Sequence, residues 1–522
     1  MNSNATTLAN STTLSFIASC EQDTLYLAEL LGPYLDNGDL VTLTGDLGAG
    51  KTMFARGLIR FLTGQPKLAI TSPTYLLIQE YQGISANIVH ADLYRLASPD
   101  ELIEISFSEL SEAAISIVEW ADRYPQLGTA ARFQIEFKNL NNLNPSSRHI
   151  TITAEQTDLN AIHSQYEIYR FLAVHNWEDA NRSLIAGDAS GRRYERLTKG
   201  TNTSILMIAP PADTEAQNDT TNRYRRTAKL AMSLDAFIAV TQTLSEHGFS
   251  PPQLYGYDIK KGLIITEDLG TVQIFDDHGP IIERYETSVS FLDALHRSEI
   301  PEQIQIENGL FYKVPKYDID ALLVEVELFI DWYVPNFTSH KVSDIARAEF
   351  MEIWKCLLGP LQEHPHCWTL RDFHSPNILW LNERSGIKRV GLIDIQDTVL
   401  GHPAYDLASL LQDARLPISD NLELDLFQYY IQLRMKSDQN FDTNAFTESY
   451  AIYALQRVTK ILGIFVRLNL RDKKPEYLKY IPNLIIYARR NLCHSSLSEY
   501  RTWLSKNCPS ILFGNLNEDP SL

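Results

Sequence analysis

The chain has 522 residues, 44% of them hydrophobic and 21% charged, which is the composition of an ordinary soluble globular protein. At about 150 residues per domain, this length allows roughly three folding units. The formal net charge of −19 argues against a stand-alone nucleic-acid binder, because gripping that backbone needs clustered cations that displace counterions. No run approaches the roughly 20 apolar residues that span a bilayer, so no membrane partner is expected. Met1–Ser11 is polar and has no basic segment ahead of an apolar run, so no secretion signal is expected either. Cys20, Cys356, Cys367, Cys493 and Cys508 are few, odd in number and without CxxC spacing, as befits thiols of a reducing, cytoplasmic setting.

Residues 11–156 read as an α/β unit. The β-rich run Leu40–Thr44 leads into Gly45-Asp46-Leu47-Gly48-Ala49-Gly50-Lys51-Thr52, and behind it Phe54, Leu58, Phe61 and Leu62 recur with helical period. Strand, glycine loop and helix in that order make this a P-loop. Its glycines let backbone N–H groups close around phosphate oxygens, with the helix N-terminus adding positive potential. Lys51 is the residue to reach the β- and γ-phosphates of ATP, and the Thr52 hydroxyl the one to ligate Mg²⁺.

Strand-like runs follow at 88–94, 115–118, 133–137 and 150–153, with 138–148 read as a loop. Asp92, in His90-Ala-Asp92-Leu-Tyr94-Arg95, and Glu119, before Trp120, lie at strand ends, where carboxylates face the nucleotide crevice of an open α/β sheet. For either carboxylate alone, a solvated strand end is an equal alternative. Ala154–Ser164 is polar without apolar period, and the domain boundary is expected there.

Together with Thr71-Ser-Pro-Thr-Tyr75, these motifs resemble the TsaE family of ATPases in tRNA threonylcarbamoyladenosine biosynthesis. The resemblance covers residues 11–156. It implies an ATPase that resets the TsaB–TsaD threonylcarbamoyl transferase, which modifies adenosine 37 of tRNA, with the tRNA held by the partners. It also implies Mg²⁺ on Thr52 and Glu119, support of hydrolysis by Asp92, and Trp120 near the nucleotide.

Residues 165–515 change character: a β-rich segment, a turn at Glu267-Asp-Leu269-Gly270, then a mostly helical region. A small β lobe, a hinge and a large helical lobe outline a two-lobed, protein-kinase-like α+β domain. In Leu370-Arg371-Asp372-Phe373-His374-Ser375-Pro376-Asn377, four residues separate aspartate from asparagine. Kinase chemistry uses that spacing to set a base, Asp372, on the acceptor hydroxyl and an amide oxygen, from Asn377, on a metal. Asp394, after the run Val390–Ile393, is the second expected Mg²⁺ ligand.

Upstream, Gly187–Tyr194, which includes Ser190, Arg192 and Arg193, reads as the loop over ATP phosphates; a plain hairpin turn is its alternative. The backbone around Glu267 and Leu269 is the expected adenine-binding hinge. His296, a single histidine on a helix, is expected to be structural.

These features resemble the aminoglycoside phosphotransferase superfamily, and within it AmgK, the anomeric sugar kinase of cell-wall recycling. The supporting stretches include Leu370–Leu381, Tyr405–Arg415 and Leu455-Gln-Arg457…Lys460…Gly463…Arg467. The resemblance implies ATP-dependent phosphorylation of the anomeric hydroxyl of N-acetylmuramate or N-acetylglucosamine. Two departures stand out. Leu370 stands where many relatives carry histidine, and the lysine–glutamate pair is missing: the β strand around Met207 has no lysine to pair the nucleotide phosphates, and no glutamate lies between Glu215 and Glu246. The resemblance to AmgK implies that Arg192 or Arg193 contacts the phosphates instead. The sequence therefore leaves three readings: an active amino-sugar kinase, a kinase for another alcohol such as an aminoglycoside or choline, and an inert platform for the first domain. Retained Asp372, Asn377 and Asp394 favour activity.

Overall fold

The computed structural model describes residues 11–96, 98, 101–102, 106–140, 147–187, 192–209, 220–307, 309–337, 342–364 and 366–513. The chain divides into two units, Met1–Glu178 and Asp179–Leu522.

In the first unit the strands are β1 (Ser11–Ala18), β2 (Leu40–Gly45), β3 (Ile78–Gln82), β4 (Asn87–Asp92), β5 (Ala114–Glu119), β6 (Phe133–Asn139) and β7 (Arg148–Glu155). They form one sheet in the order β1-β7-β6-β2-β5-β4-β3. The centre is parallel, β2 pairing with β5 and β6, and β4 with β5. Strands covered on both faces need continuous apolar runs, and β5 is buried at all six positions. Because β2, β4 and β5 run the same way, Gly45, Asp92 and Glu119 all finish at one edge. The helix Lys51–Thr63 departs from that edge.

The expected boundary at Ala154–Ser164 is not where the units divide. The helix Gln156–Val174 occupies that region and belongs to the first unit. Leu159, Ile162, Tyr166 and Tyr169 are its buried stripe, and the Tyr166 hydroxyl donates to the Ile17 carbonyl (2.9 Å). The stripe starts inside the polar window and runs past its end, so a short window misses its period.

The second unit opens with β8 (Asn181–Gly187), β9 (Arg193–Lys199), β10 (Asn202–Ile208), β11 (Leu254–Asp258) and β12 (Leu263–Glu267). These form an antiparallel sheet in the order β11-β12-β10-β9-β8. The helix Leu234–Glu246 supplies Phe237, Ile238 and Val240 to a core that is continuous from Met207 and Ile264 to Trp354, Tyr405 and Leu455. The largest helix, Thr443–Leu470, is buried at most positions and runs through the helical lobe. Two short antiparallel pairs, Cys367–Thr369 with Val399–Gly401 and Ile378–Trp380 with Val390–Leu392, hold the segment from Leu370 to Asp397. Among the described residues, no helix is long and apolar enough to cross a membrane.

Candidate active sites

At the edge of the first sheet, Gly48 and Gly50 adopt φ of 76° and 112°, a region that residues with a Cβ avoid. That backbone turns the loop into a cradle ahead of the helix Lys51–Thr63. Lys51 folds back over it, Nζ donating to the carbonyls of Gly45 (2.6 Å) and Asp46 (2.9 Å). The same ammonium lies 3.5 Å from the centre of the Trp120 ring. Burial lowers the Lys51 pKa, and the charges of Glu119, Asp122, Asp92 and Asp46 oppose that shift.

Asp92 and Glu119 are register partners across β4 and β5. The Thr52 hydroxyl donates to Glu119 Oε2 (2.9 Å), while His90 Nε2 contacts Glu119 Oε1 (3.0 Å). Asp92 instead accepts from Ser72, from Thr74 (2.9 Å) and from the Tyr94 N–H (2.9 Å). A threonine hydroxyl beside two buried carboxylates is an oxygen donor set suited to Mg²⁺. The expected residues of this site therefore come together: the Gly45–Thr52 loop, Asp92, Glu119 and Trp120. His90, Ser72 and Thr74 were not expected as site residues. The His-x-Asp spacing on β4 was the available signal, since residues two apart share a strand face.

In the second unit, Asp406 clamps the loop that carries the candidate base. Its two oxygens accept from the N–H groups of Leu370 (2.6 Å) and Arg371 (2.8 Å). His296 stands behind the clamp, Nε2 3.8 Å from Asp406 and Nδ1 2.8 Å from the Tyr430 hydroxyl, in the structural position expected of it. Asn377 donates its amide nitrogen to the Asp372 carbonyl (3.1 Å), which commits the amide oxygen to the opposite side. Asp394 has φ of 59° and accepts from Gln396 (2.6 Å).

Burial opposes ionisation of Asp372, but nearby positive charge, Lys460 foremost, outweighs it and holds the carboxyl below its ordinary range. Asp394 behaves oppositely. Burial, followed by the charge of Asp372, pushes its carboxyl up to about 6. Two neighbouring carboxylates that repel each other make a place where a cation is favoured.

Beneath Asp372 lies a buried ionic cluster. Glu325 accepts from Arg371, from Lys460 (2.9 Å), from Tyr317 and from Gln456 (3.2 Å). Sequence reading missed Glu325, although a carboxylate set among Leu322, Leu323, Val324 and Val326 signals a buried charge that needs partners.

A cavity of about 1040 Å³ opens beside Asp394, Gln396 and Asp397. Arg192 lines it, buried, with its charge acting on both aspartates. Arg193 pairs instead with Glu195 (3.0 Å). Of the two expected phosphate contacts, the geometry therefore favours Arg192. Ser190 lies outside the described residues. Met207 is buried in the shared core at the position expected for a lysine. At the hinge, the Glu267 carboxylate is taken by Arg384 (2.6 Å) and the Gln253 N–H (3.1 Å), so only backbone there is suited to adenine. Leu269 follows it in the same turn.

Fold and site together define a P-loop ATPase unit joined to a kinase-fold phosphotransferase unit. Comparison with known proteins agrees. Residues 18–150 match the family model "Threonylcarbamoyl adenosine biosynthesis protein TsaE", and residues 181–439 match "Phosphotransferase enzyme family". The N-acetylmuramate/N-acetylglucosamine kinase of Caulobacter vibrioides is 32% identical over 354 residues, covering 65% of this chain and 95% of that protein. The tRNA threonylcarbamoyladenosine biosynthesis protein TsaE of Rickettsia conorii is 39% identical over 122 residues, covering 23% of this chain and 69% of that protein. Among solved structures, the choline kinase LicA of Streptococcus pneumoniae is similar at 14% identity and a TM-score of 0.44, over 62% of this chain and 99% of that one. The chain belongs to the TsaE family through its N-terminal unit and to the N-acetylmuramate/N-acetylglucosamine kinase family through its C-terminal unit.

Proposed function

We propose that the first unit hydrolyses ATP in support of a TsaB–TsaD-type transferase. In this reading the second unit transfers the γ-phosphoryl group of ATP to the anomeric hydroxyl of N-acetylmuramate or N-acetylglucosamine, and both activities are cytoplasmic. For the ATPase, the carrying observation is Thr52 on Glu119, with Lys51 drawn over the glycine loop. For the kinase it is the cation-ready group Asp372, Asn377 and Asp394 beside a cavity large enough for an amino sugar. Asp372 accepts the proton of the acceptor hydroxyl as its oxygen bonds to phosphorus and ADP leaves. Thr52 and Glu119 in one site, and Asn377 and Asp394 in the other, would hold Mg²⁺, which offsets charge on the phosphate oxygens. Arg192 takes over the phosphate contact that an absent lysine usually makes.

The inert-platform reading rests on Met207. Against it stands the support built around Asp372, since the Asp406 clamp and the Glu325 cluster both serve to hold a reactive loop.

The test is to incubate the full chain with ATP, Mg²⁺ and each sugar and to follow phosphorus NMR. Sugar 1-phosphate should form, and Asp372→Asn should slow it about 10²–10⁴-fold. Lys51→Ala should abolish only the sugar-independent ATP hydrolysis. Sugar phosphorylation that survives Asp372→Asn at full rate would sink the kinase assignment.

A further inference from the structure

Five arginines line the cavity beside Asp394, and four of them have other places or tasks. Arg471 bonds Asp472 twice (2.8 and 2.9 Å), and Arg225 donates to the Ala231 carbonyl (3.1 Å). Arg192 acts on Asp394 and Asp397, and Arg223 is exposed.

Arg467 differs from all four. It projects from the helix Thr443–Leu470 and is only partly exposed, with its guanidinium carbon 4.9 Å from the centre of the Tyr224 ring. Its Nε is buried and has no hydrogen-bond partner among the described residues. Burial lowers its pKa and neighbouring Arg471 pushes the same way, while Tyr224, which also hydrogen-bonds it, and the charge of Asp472 oppose the shift. Ile464, one helical turn away, and Leu468 add apolar surface to the same stretch of wall. An arginine held in this way gains strongly from an incoming anion, because its planar fork matches a carboxylate.

Glu327 and Asp331, also on the cavity wall, already pair with Arg347. They and Asp320 disfavour an anion elsewhere on that wall and suit sugar hydroxyls. The two acceptors in the relatives' name differ by one substituent. N-acetylmuramate carries a lactyl ether ending in a carboxylate on O3, where N-acetylglucosamine has a hydroxyl.

We propose that Arg467 is a specificity residue that receives the lactyl carboxylate of N-acetylmuramate, with Tyr224 holding the guanidinium in place. This rests on the amino-sugar reading above. Arg467 decides between the two sugars, whereas Asp372 acts on both.

The experiment measures kcat/KM of the full chain and of Arg467→Met with both sugars and with the methyl ester of N-acetylmuramate. The ratio of N-acetylmuramate to N-acetylglucosamine should fall about 10–100-fold in the variant, the size of a charge-assisted hydrogen bond. Esterifying the substrate should cost the wild type a similar factor and cost the variant almost nothing, as coupled partners require. Arg467→Lys should fall between, keeping charge but losing the fork. Turnover of N-acetylglucosamine by the variant reports that it is folded. Equal losses on both sugars, or an ester penalty that persists in Arg467→Met, overturn the proposal while the amino-sugar reading stands. A wild type that phosphorylates neither sugar removes that reading and this one with it.

Discussion

Asp92 and Glu119 are the same kind of group at neighbouring strand ends, and their hydrogen-bond donors separate them. Glu119 takes the Thr52 hydroxyl, which ties it to the loop that would hold the metal, while Asp92 takes Ser72 and Thr74 from the Ser-Pro-Thr segment. In the second unit His402 illustrates what burial does to a titratable residue. Its Nδ1 accepts from the Ala404 N–H (3.1 Å), and the ring stacks on Tyr453. Burial, and then the neighbouring histidines, pushes its pKa down to about 3. The unfolded chain binds a proton here below about pH 6.5 that the folded chain refuses until about pH 3. Stability from this residue is therefore complete above pH 6.5 and falls as pH drops, by about 2–3 kcal/mol at pH 4.5. His402→Asn should lower stability at pH 7 yet flatten the change between pH 7 and 4.5, as read from urea midpoints. An unchanged acid slope would refute this. At this scale the sequence was most legible where chemistry is contiguous, as in Gly45–Thr52 and Asp372–Asn377. Glu325, His90 and Ser72 were not, because each acquires its role from a partner on another element.

Elements explain how the cavity in the second unit keeps its shape. A Cβ on Gly463 would lie 2.3 Å from both the carbonyl carbon and oxygen of Leu328, so the helices Ile319–Leu328 and Thr443–Leu470 meet backbone to backbone there. Beyond Leu328 the chain makes a π-helical turn, Phe329–Tyr333, whose Asp331 and Trp332 line the cavity. Such turns redirect side chains at functional sites. Gly463→Ala should force the helices apart, at about 1–3 kcal/mol of stability, and raise KM for the acceptor more than it lowers kcat. Urea unfolding with steady-state kinetics checks both, and a stable variant with unchanged KM would contradict the packing argument. Strand runs in the first unit could be read from β-branched and apolar clusters. The helix Gln156–Val174 could not, because its buried residues are spread over three turns and its exposed face is polar.

At the scale of the whole molecule, the chain is two machines, and the place where it is cut decides whether the first survives alone. A fragment ending at Glu178 keeps the helix Gln156–Val174, whereas one ending at residue 160 loses Ile162, Tyr166 and Tyr169 from the core. Three such side chains stabilise by about 5 kcal/mol or more. The longer fragment should fold and hydrolyse ATP, and the shorter should melt at much lower urea or be insoluble. Equal stability of the two would place the helix outside the first unit.

Sequence alone determined the two phosphate chemistries and their order, because a P-loop and a kinase loop need particular residues at fixed short spacings that backbone geometry imposes. It could not decide where the first unit ends, which of Arg192 and Arg193 faces the aspartates, or that Glu325 underpins Asp372. Those depend on residues far apart in the chain meeting in a low-dielectric interior. There, the cost of burying each charge fixes its partner only once the helices and sheets have packed.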